Sequence, residues 1–134
     1  MNHQDVHFLN RFEALAIGPG EFSHVAHLRL AFLYIEQNGV EAAVGQMSEG
    51  LQRFVEKVGA VGKYHQTITE ALVRLMGARL AHHPAPDWQS FLQANPDLVQ
   101  DAKGVLLRHY SPARLNCPEA RATFLPPDRL PLEE

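Results

Sequence analysis

The segment from Val40 to Val58 has the clearest periodic pattern in this sequence. Its apolar residues are spaced alternately four and three positions apart, with charged and amide residues between them. They are Val40, Val44, Met47, Leu51, Phe54 and Val58. This spacing is typical of an amphipathic α-helix, and no alternating period-two stretch is long enough to predict a strand. The sequence therefore predicts an all-α fold.

Three more long helices are predicted, over residues 5–17, 23–38 and 64–81, from helical spacing and from local start and stop signals. Asp5 and Ser23 are suitable N-caps, and Asn38-Gly39 is a typical helix stop. Short helices are expected after the potential caps Asp87, Asn95, Ser111 and Cys117. We expect one helical domain over residues 1–134. It would be an irregular antiparallel bundle of four main helices, with two or three short C-terminal helices and an extended Pro-rich tail from Leu125.

The charge and composition argue against several kinds of partner. The formal net charge is -3 and the basic residues are scattered, so no basic stripe suggests nucleic-acid binding. No apolar run is long enough to span a membrane, and residues 1–5 lack the features of a signal peptide. The single cysteine, Cys117, cannot form an intramolecular disulfide, which fits a cytoplasmic protein. A small-molecule substrate and a homodimer are both compatible with this composition.

Three histidines lie on helical positions that are predicted to face the core. His24 falls on the apolar side of its helix with Leu28, His27 flanks that side, and their Cβ atoms would be about 5–6 Å apart. His65 precedes Ile68 by three positions and so extends the apolar stripe of the fourth helix. A buried imidazole needs hydrogen-bond or metal partners for its nitrogens, so these three residues are candidates for a site.

Two hypotheses for the three histidines remain open. In the first, His24, His27 and His65 bind one divalent metal ion, zinc or else iron or nickel, in a small metal-dependent enzyme. The open coordination position would take water or substrate for hydrolytic or related Lewis-acid chemistry, and no catalytic residue is assigned. In the second, the protein is a non-enzymatic small-molecule-binding or interaction protein. Its histidines would then form a buried hydrogen-bond network, with Tyr34, Thr67 and Thr69 as partners.

A ligand-binding role without metal is a further alternative for the polar residues near these helices. Tyr64, Arg108 and His109 are the candidates, since arginine makes bidentate contacts to carboxylate or phosphate. For the run Arg108-His109-Tyr110-Ser111, a structural role in tying the C-terminal turns to the bundle is favoured. Arg29 is expected to be a solvated surface charge. No serine-hydrolase, P-loop, Rossmann or paired-cysteine motif is present.

Three motifs give the chain a family resemblance. They are F-x-H-x-x-H-x-R at Phe22–Arg29, Y-H-x-T-I-T at Tyr64–Thr69 and R-H-Y-S at Arg108–Ser111. With them, the chain resembles a family of short, functionally uncharacterised bacterial proteins from about Phe8 to Leu132. The resemblance implies no activity. Members often have a histidine where this chain has Ser23, which implies that this position is not an indispensable ligand.

Overall fold

The computed structural model describes residues 1–133, and within this range the chain forms nine α-helices, one short 3-10 helix and no strand. The predicted all-α class is therefore confirmed. None of the helices within residues 1–133 combines the length and the hydrophobicity that a membrane-spanning helix needs. The chain divides into two compact units, Met1–Tyr64 and the residues from His65 onward. The single domain predicted for residues 1–134 stays a prediction.

The first unit contains α1 (His3–Glu13), α2 (His24–Asn38), α3 (Val40–Lys57) and the 3-10 helix Val61–Lys63. Helix α1 begins two residues before the predicted start, because Asn2 and not Asp5 is its N-cap. The Asn2 side chain accepts from the Asp5 backbone N–H at 2.8 Å, and the Asp5 carboxylate accepts from the Asn2 N–H at 3.3 Å. These reciprocal bonds form a capping box. The helix also ends at Glu13, earlier than the predicted Ile17, and Leu15 has a φ of 57°.

Helices α2 and α3 form a packed helical hairpin. The predicted cap Ser23 is confirmed, since its hydroxyl accepts from the Ala26 N–H at 3.2 Å. Gly39 separates the helices with a φ of 84°, a conformation that favours glycine. A Cβ built on Gly50 would lie 2.7 Å from the Phe12 ring, so glycine lets this ring lie against α3.

The second unit is built on α4 (Gln66–His82), followed by the short helices α5 (Trp88–Ala94), α6 (Pro96–Gln100), α7 (Ala102–Leu106), α8 (Pro112–Leu115) and α9 (Pro118–Ala122). There are five short helices in the described chain, more than the two or three expected. Asp87 and Ser111 cap α5 and α8 through their side chains as predicted. Prolines occupy the first positions of α6, α8 and α9. Helix α9 packs against α4.

The segment from Thr123 to Glu133 is non-helical and lies across the helices of its own unit, as predicted for the tail, whose last residue, Glu134, lies outside the described residues. The Thr67 hydroxyl in α4 donates to the Thr123 carbonyl at 2.8 Å and accepts from the Leu125 N–H at 3.1 Å. The Tyr110 hydroxyl donates to the Leu125 carbonyl at 2.7 Å. Leu125 and Leu132 are buried. We call the segment Thr123 to Glu133 the strap.

Candidate functional site

His65 is the N-cap of α4 and lies outside the regular helix. Its backbone is extended, with φ -140° and ψ 108°. Its Nδ1 accepts from the Ile68 backbone N–H at 3.1 Å, and its Nε2 lies 2.9 Å from the Leu115 carbonyl, to which it donates in the matching neutral tautomer. The prediction that His65 extends the apolar stripe inside α4 is therefore wrong, because the helix begins at the residue after it. Both ring nitrogens are engaged by the chain itself.

His24 and His27 lie in the first turn of α2. His24 is the first helical residue and is exposed, whereas His27 is half-buried with its Nε2 fully enclosed. The His27 Nε2 has no hydrogen-bond partner among residues 1–133. The Phe22 ring stacks near His27, with 6.0 Å between the ring centroids. Burial, with a smaller contribution from His24, lowers the pKa of His27 to about 4. His27 is consequently a neutral imidazole at pH 7.

The three hydroxyls proposed as partners of these histidines donate elsewhere. The Tyr34 hydroxyl donates to the Glu13 carboxylate at 2.8 Å, and Thr67 donates to the strap. Thr69 donates to the His65 carbonyl at 2.8 Å, one turn earlier in the chain. Burial and the Glu13 carboxylate raise the pKa of Tyr34 above its usual range. None of the three hydroxyls donates to a ring of His24 or His27, and the hydrogen-bond network of the histidines stays a prediction.

The metal hypothesis requires His24, His27 and His65 to converge on one ion. His24 and His27 belong to the first unit and His65 to the second. Within residues 1–133, no three histidine, cysteine, aspartate or glutamate side chains are grouped so that they could hold a metal ion. His65 would also have to give up its cap or its bond to Leu115 in order to coordinate one. The metal site and its ion stay predictions.

The R-H-Y-S run ties the strap to the second unit. The Nδ1 of His109, which is buried, lies 3.0 Å from the Leu130 carbonyl, and the Tyr110 hydroxyl reaches the strap as described above. Ser111 donates to the Asp128 carboxylate from its backbone N–H at 2.7 Å and from its hydroxyl at 2.6 Å. These bonds hold the pKa of the Asp128 carboxyl below its usual range. The run therefore has a structural role, and the segment that it ties is the strap.

The other predicted ligand-binding residues have different surroundings. Arg108 is exposed, and its side chain makes no hydrogen bond within the described chain. Tyr64 is half-buried and follows the 3-10 helix as its C-cap. A ligand-binding role for Tyr64, Arg108 and His109 stays a prediction, and His109 already has a structural partner.

Arg29 has surroundings that differ from the sequence-based expectation. Its Nη2 donates to the Asp5 carboxylate at 2.7 Å, and its guanidinium lies 4.6 Å from the centroid of the Phe8 ring. The Arg29 side chain is only 25% exposed and that of Asp5 only 9%. The expected solvated surface charge is therefore wrong. Asp5 and Phe8 are three residues apart and share one face of α1. This spacing of a carboxylate and an aromatic ring was the sequence signal for a contact with a cationic side chain.

Each unit contains a cavity with polar lining residues. In the first unit, a cavity of about 180 Å³ lies between the end of α1 and one face of α3, with Tyr34 of α2 at its side. In the second unit, a cavity of about 490 Å³ lies between the end of α4, the Pro84–Pro86 loop and α5. Arg79, which lines the second cavity, already makes two 2.7 Å bonds to the Asp97 carboxylate. The first cavity contains Glu13, a carboxylate that has no such cationic partner within residues 1–133.

Comparisons with protein-family models, with curated protein sequences and with solved structures each gave no match.

Proposed function

We propose that this chain is a non-enzymatic small-molecule-binding protein in which His65 and His109 belong to the hydrogen-bonded framework. The observation that supports this proposal best is the bonding of His65, whose two ring nitrogens cap α4 and bind the Leu115 carbonyl. An imidazole with both nitrogens engaged has no free lone pair for a metal ion. His109 has a similar structural partner in the strap. We also propose a cytoplasmic location, since the single cysteine fits a reducing compartment.

A second candidate is a metal-dependent enzyme, and one observation favours it. The enclosed Nε2 of His27 has no hydrogen-bond partner within the described residues, and its lowered pKa keeps the ring neutral, as metal coordination requires. His24, three residues earlier on the same helix, would be a second ligand. Tetrahedral zinc sites that are catalytic usually have three protein ligands, so this candidate also needs His65 or a substitute for it.

Metal analysis of protein purified without an affinity tag distinguishes the two candidates. The framework proposal predicts clearly less than one divalent ion per chain, together with a His65→Ala variant that is less stable but binds no less metal than the wild type. Near-stoichiometric metal that is lost in a folded His24→Ala variant would overturn the framework proposal and support the enzyme. The matched control is His83→Ala, which removes an exposed histidine at the end of α4.

A further inference from the structure

We propose that the cavity between α1 and α3 in the first unit binds a small primary ammonium compound with a short apolar body. This inference deepens the proposed small-molecule binding and rests on it. The cavity volume of about 180 Å³ suits a compound of a few heavy atoms and is below the usual range for drug-sized ligands.

Glu13 contributes an exposed carboxylate to the lining of the cavity. One carboxylate oxygen of Glu13 accepts from the Tyr34 hydroxyl at 2.8 Å, and within residues 1–133 the other accepts no hydrogen bond. No lysine or arginine of the described chain pairs with this carboxylate. Because Tyr34 is neutral, its hydrogen bond orients Glu13 without cancelling the negative charge.

The nearby cations are already engaged by other groups. Arg53 donates to the Glu49 carboxylate at 2.8 Å, one turn away on α3. Lys57 donates to the Leu15 backbone carbonyl and does not line the cavity. Arg53 and Glu49 both line the cavity and pair with each other, so Glu13 is the remaining charge of the lining. The C-terminal end of α1, where Glu13 lies, adds the negative end of a helix dipole, which also favours a cation.

Part of the remaining lining is apolar, next to the polar side chains of Gln46, Glu49 and Arg53. Phe12 and Leu15 contribute apolar side chains, and the backbone of Gly50 lies directly against the Phe12 ring. The Phe12 ring packs against the aromatic rings of Phe22 and Phe54, so this wall is held in place by its neighbours. An ammonium group at Glu13 could thus place its alkyl chain against Phe12 and Leu15. A carboxylate ligand would instead meet the charge of Glu13 and be repelled.

The test is a titration of the full chain with three compounds that share one apolar body: n-butylammonium, 1-butanol and butyrate. Binding is followed by shifts of the backbone amide signals in two-dimensional NMR spectra. We expect saturable shifts at α3 residues Glu49 to Arg53 with n-butylammonium, and at least about tenfold weaker binding of the other two compounds. Equal binding of 1-butanol, or shifts confined to other parts of the chain, would overturn the ammonium site.

Variants locate the charge that recognises the ligand. Glu13→Gln keeps an oxygen that can accept from Tyr34 but removes the charge, and we expect it to weaken n-butylammonium binding about tenfold. Glu56→Gln is the matched control, because Glu56 is an exposed carboxylate of α3 that does not line the cavity. If Glu13→Gln binds as tightly as the wild type, the proposal is overturned. In each variant, the amide signals of residues outside the cavity should match those of the wild type, which shows that the variant is folded.

The titration and the metal analysis test different proposals. Failure of the titration removes the ammonium site and leaves the metal content and the stability of the histidine variants unchanged. Stoichiometric metal at His24 would overturn the framework proposal, whatever the titration shows.

Discussion

Arg29 in α2 donates a 2.7 Å hydrogen bond to Asp5, which lies twenty-four positions earlier in the chain. This ion pair joins α2 to the first turn of α1. The same carboxylate closes the capping box of α1 with Asn2. The Asp5 carboxylate therefore takes part both in the capping of α1 and in its contact with α2.

Replacing Arg29 should destabilise the first unit substantially. In Arg29→Ala, the Asp5 carboxylate loses its cation while its side chain remains nearly enclosed, so we expect the free energy of unfolding to fall by about 2–3 kcal/mol. Urea denaturation followed by circular dichroism measures this change. The matched control is Arg53→Ala, because Arg53 and its partner Glu49 are both mostly exposed. We expect a change below about 0.5 kcal/mol there, and equal losses in the two variants would contradict our assignment.

The two bonds of His65 should be separable by substitution. His65→Asn retains a side-chain acceptor for the Ile68 N–H but is too short to reach Leu115, whereas His65→Ala loses both bonds. We expect losses of about 1 kcal/mol for His65→Asn and about 2 kcal/mol for His65→Ala, again by urea denaturation. A stability unchanged in both variants would show that neither bond contributes to the framework.

Stability should depend on pH through His27. Its pKa is about 4 in the folded protein against 6.5 for the ordinary residue, so between these values the unfolded chain binds more protons than the folded one. The free energy of unfolding should therefore decrease as the pH falls from 6.5 to 4, by about 3 kcal/mol in total, and this contribution should be constant above pH 6.5.

Thermal unfolding across this pH range measures the dependence. His27→Leu removes the titrating group and should flatten that part of the profile. His83→Gln, which removes an exposed histidine, should keep the wild-type slope. A His27→Leu profile as steep as that of the wild type would mean that other groups cause the dependence.

The strap should loosen when its contact with α4 is removed. Thr67→Val keeps the shape of the side chain but removes the donor to the Thr123 carbonyl and the acceptor for the Leu125 N–H. Because both strap groups then lack these partners, we expect a loss of about 2 kcal/mol and faster hydrogen exchange at the Leu125 amide.

The control for the strap is Thr69→Val on the same helix. Thr69 is also buried, but its hydroxyl bonds to the His65 carbonyl within the same chain segment and not to the strap. We expect Thr69→Val to leave exchange at Leu125 unchanged. Acceleration in both variants would indicate general weakening of α4 and not loss of the strap contact.

The parts of the fold that depend on neighbouring residues can be predicted from the sequence. Ser23, Asp87 and Ser111 are recognisable as caps because a cap bonds to backbone groups only three residues away. The all-α class follows from spacing within single helices, such as Val40 to Val58. These interactions leave a pattern that can be recognised without knowing the fold.

The candidate site is harder to predict because it depends on distant partners. The pairing of Arg29 with Asp5, and that of Thr67 with the strap, join residues far apart in the chain, and helical spacing carries no information about them. The prediction for His65 fails for a different reason. The start of α4 lies two residues later than predicted, and this shift makes His65 a cap and not a core residue. Helix boundaries are poorly determined by periodicity.

The contacts of the strap have a consequence for the order of events during synthesis. Thr67 is translated early, but the groups it binds, on Thr123 and Leu125, follow 56 and 58 positions later. On the ribosome, the hydroxyl of Thr67 near the start of α4 must therefore wait for 56 further residues before it meets its first native partner in the strap. The second unit reaches its final form only once translation has passed the strap, and a nascent chain stalled before Thr123 would present that edge of α4 uncovered.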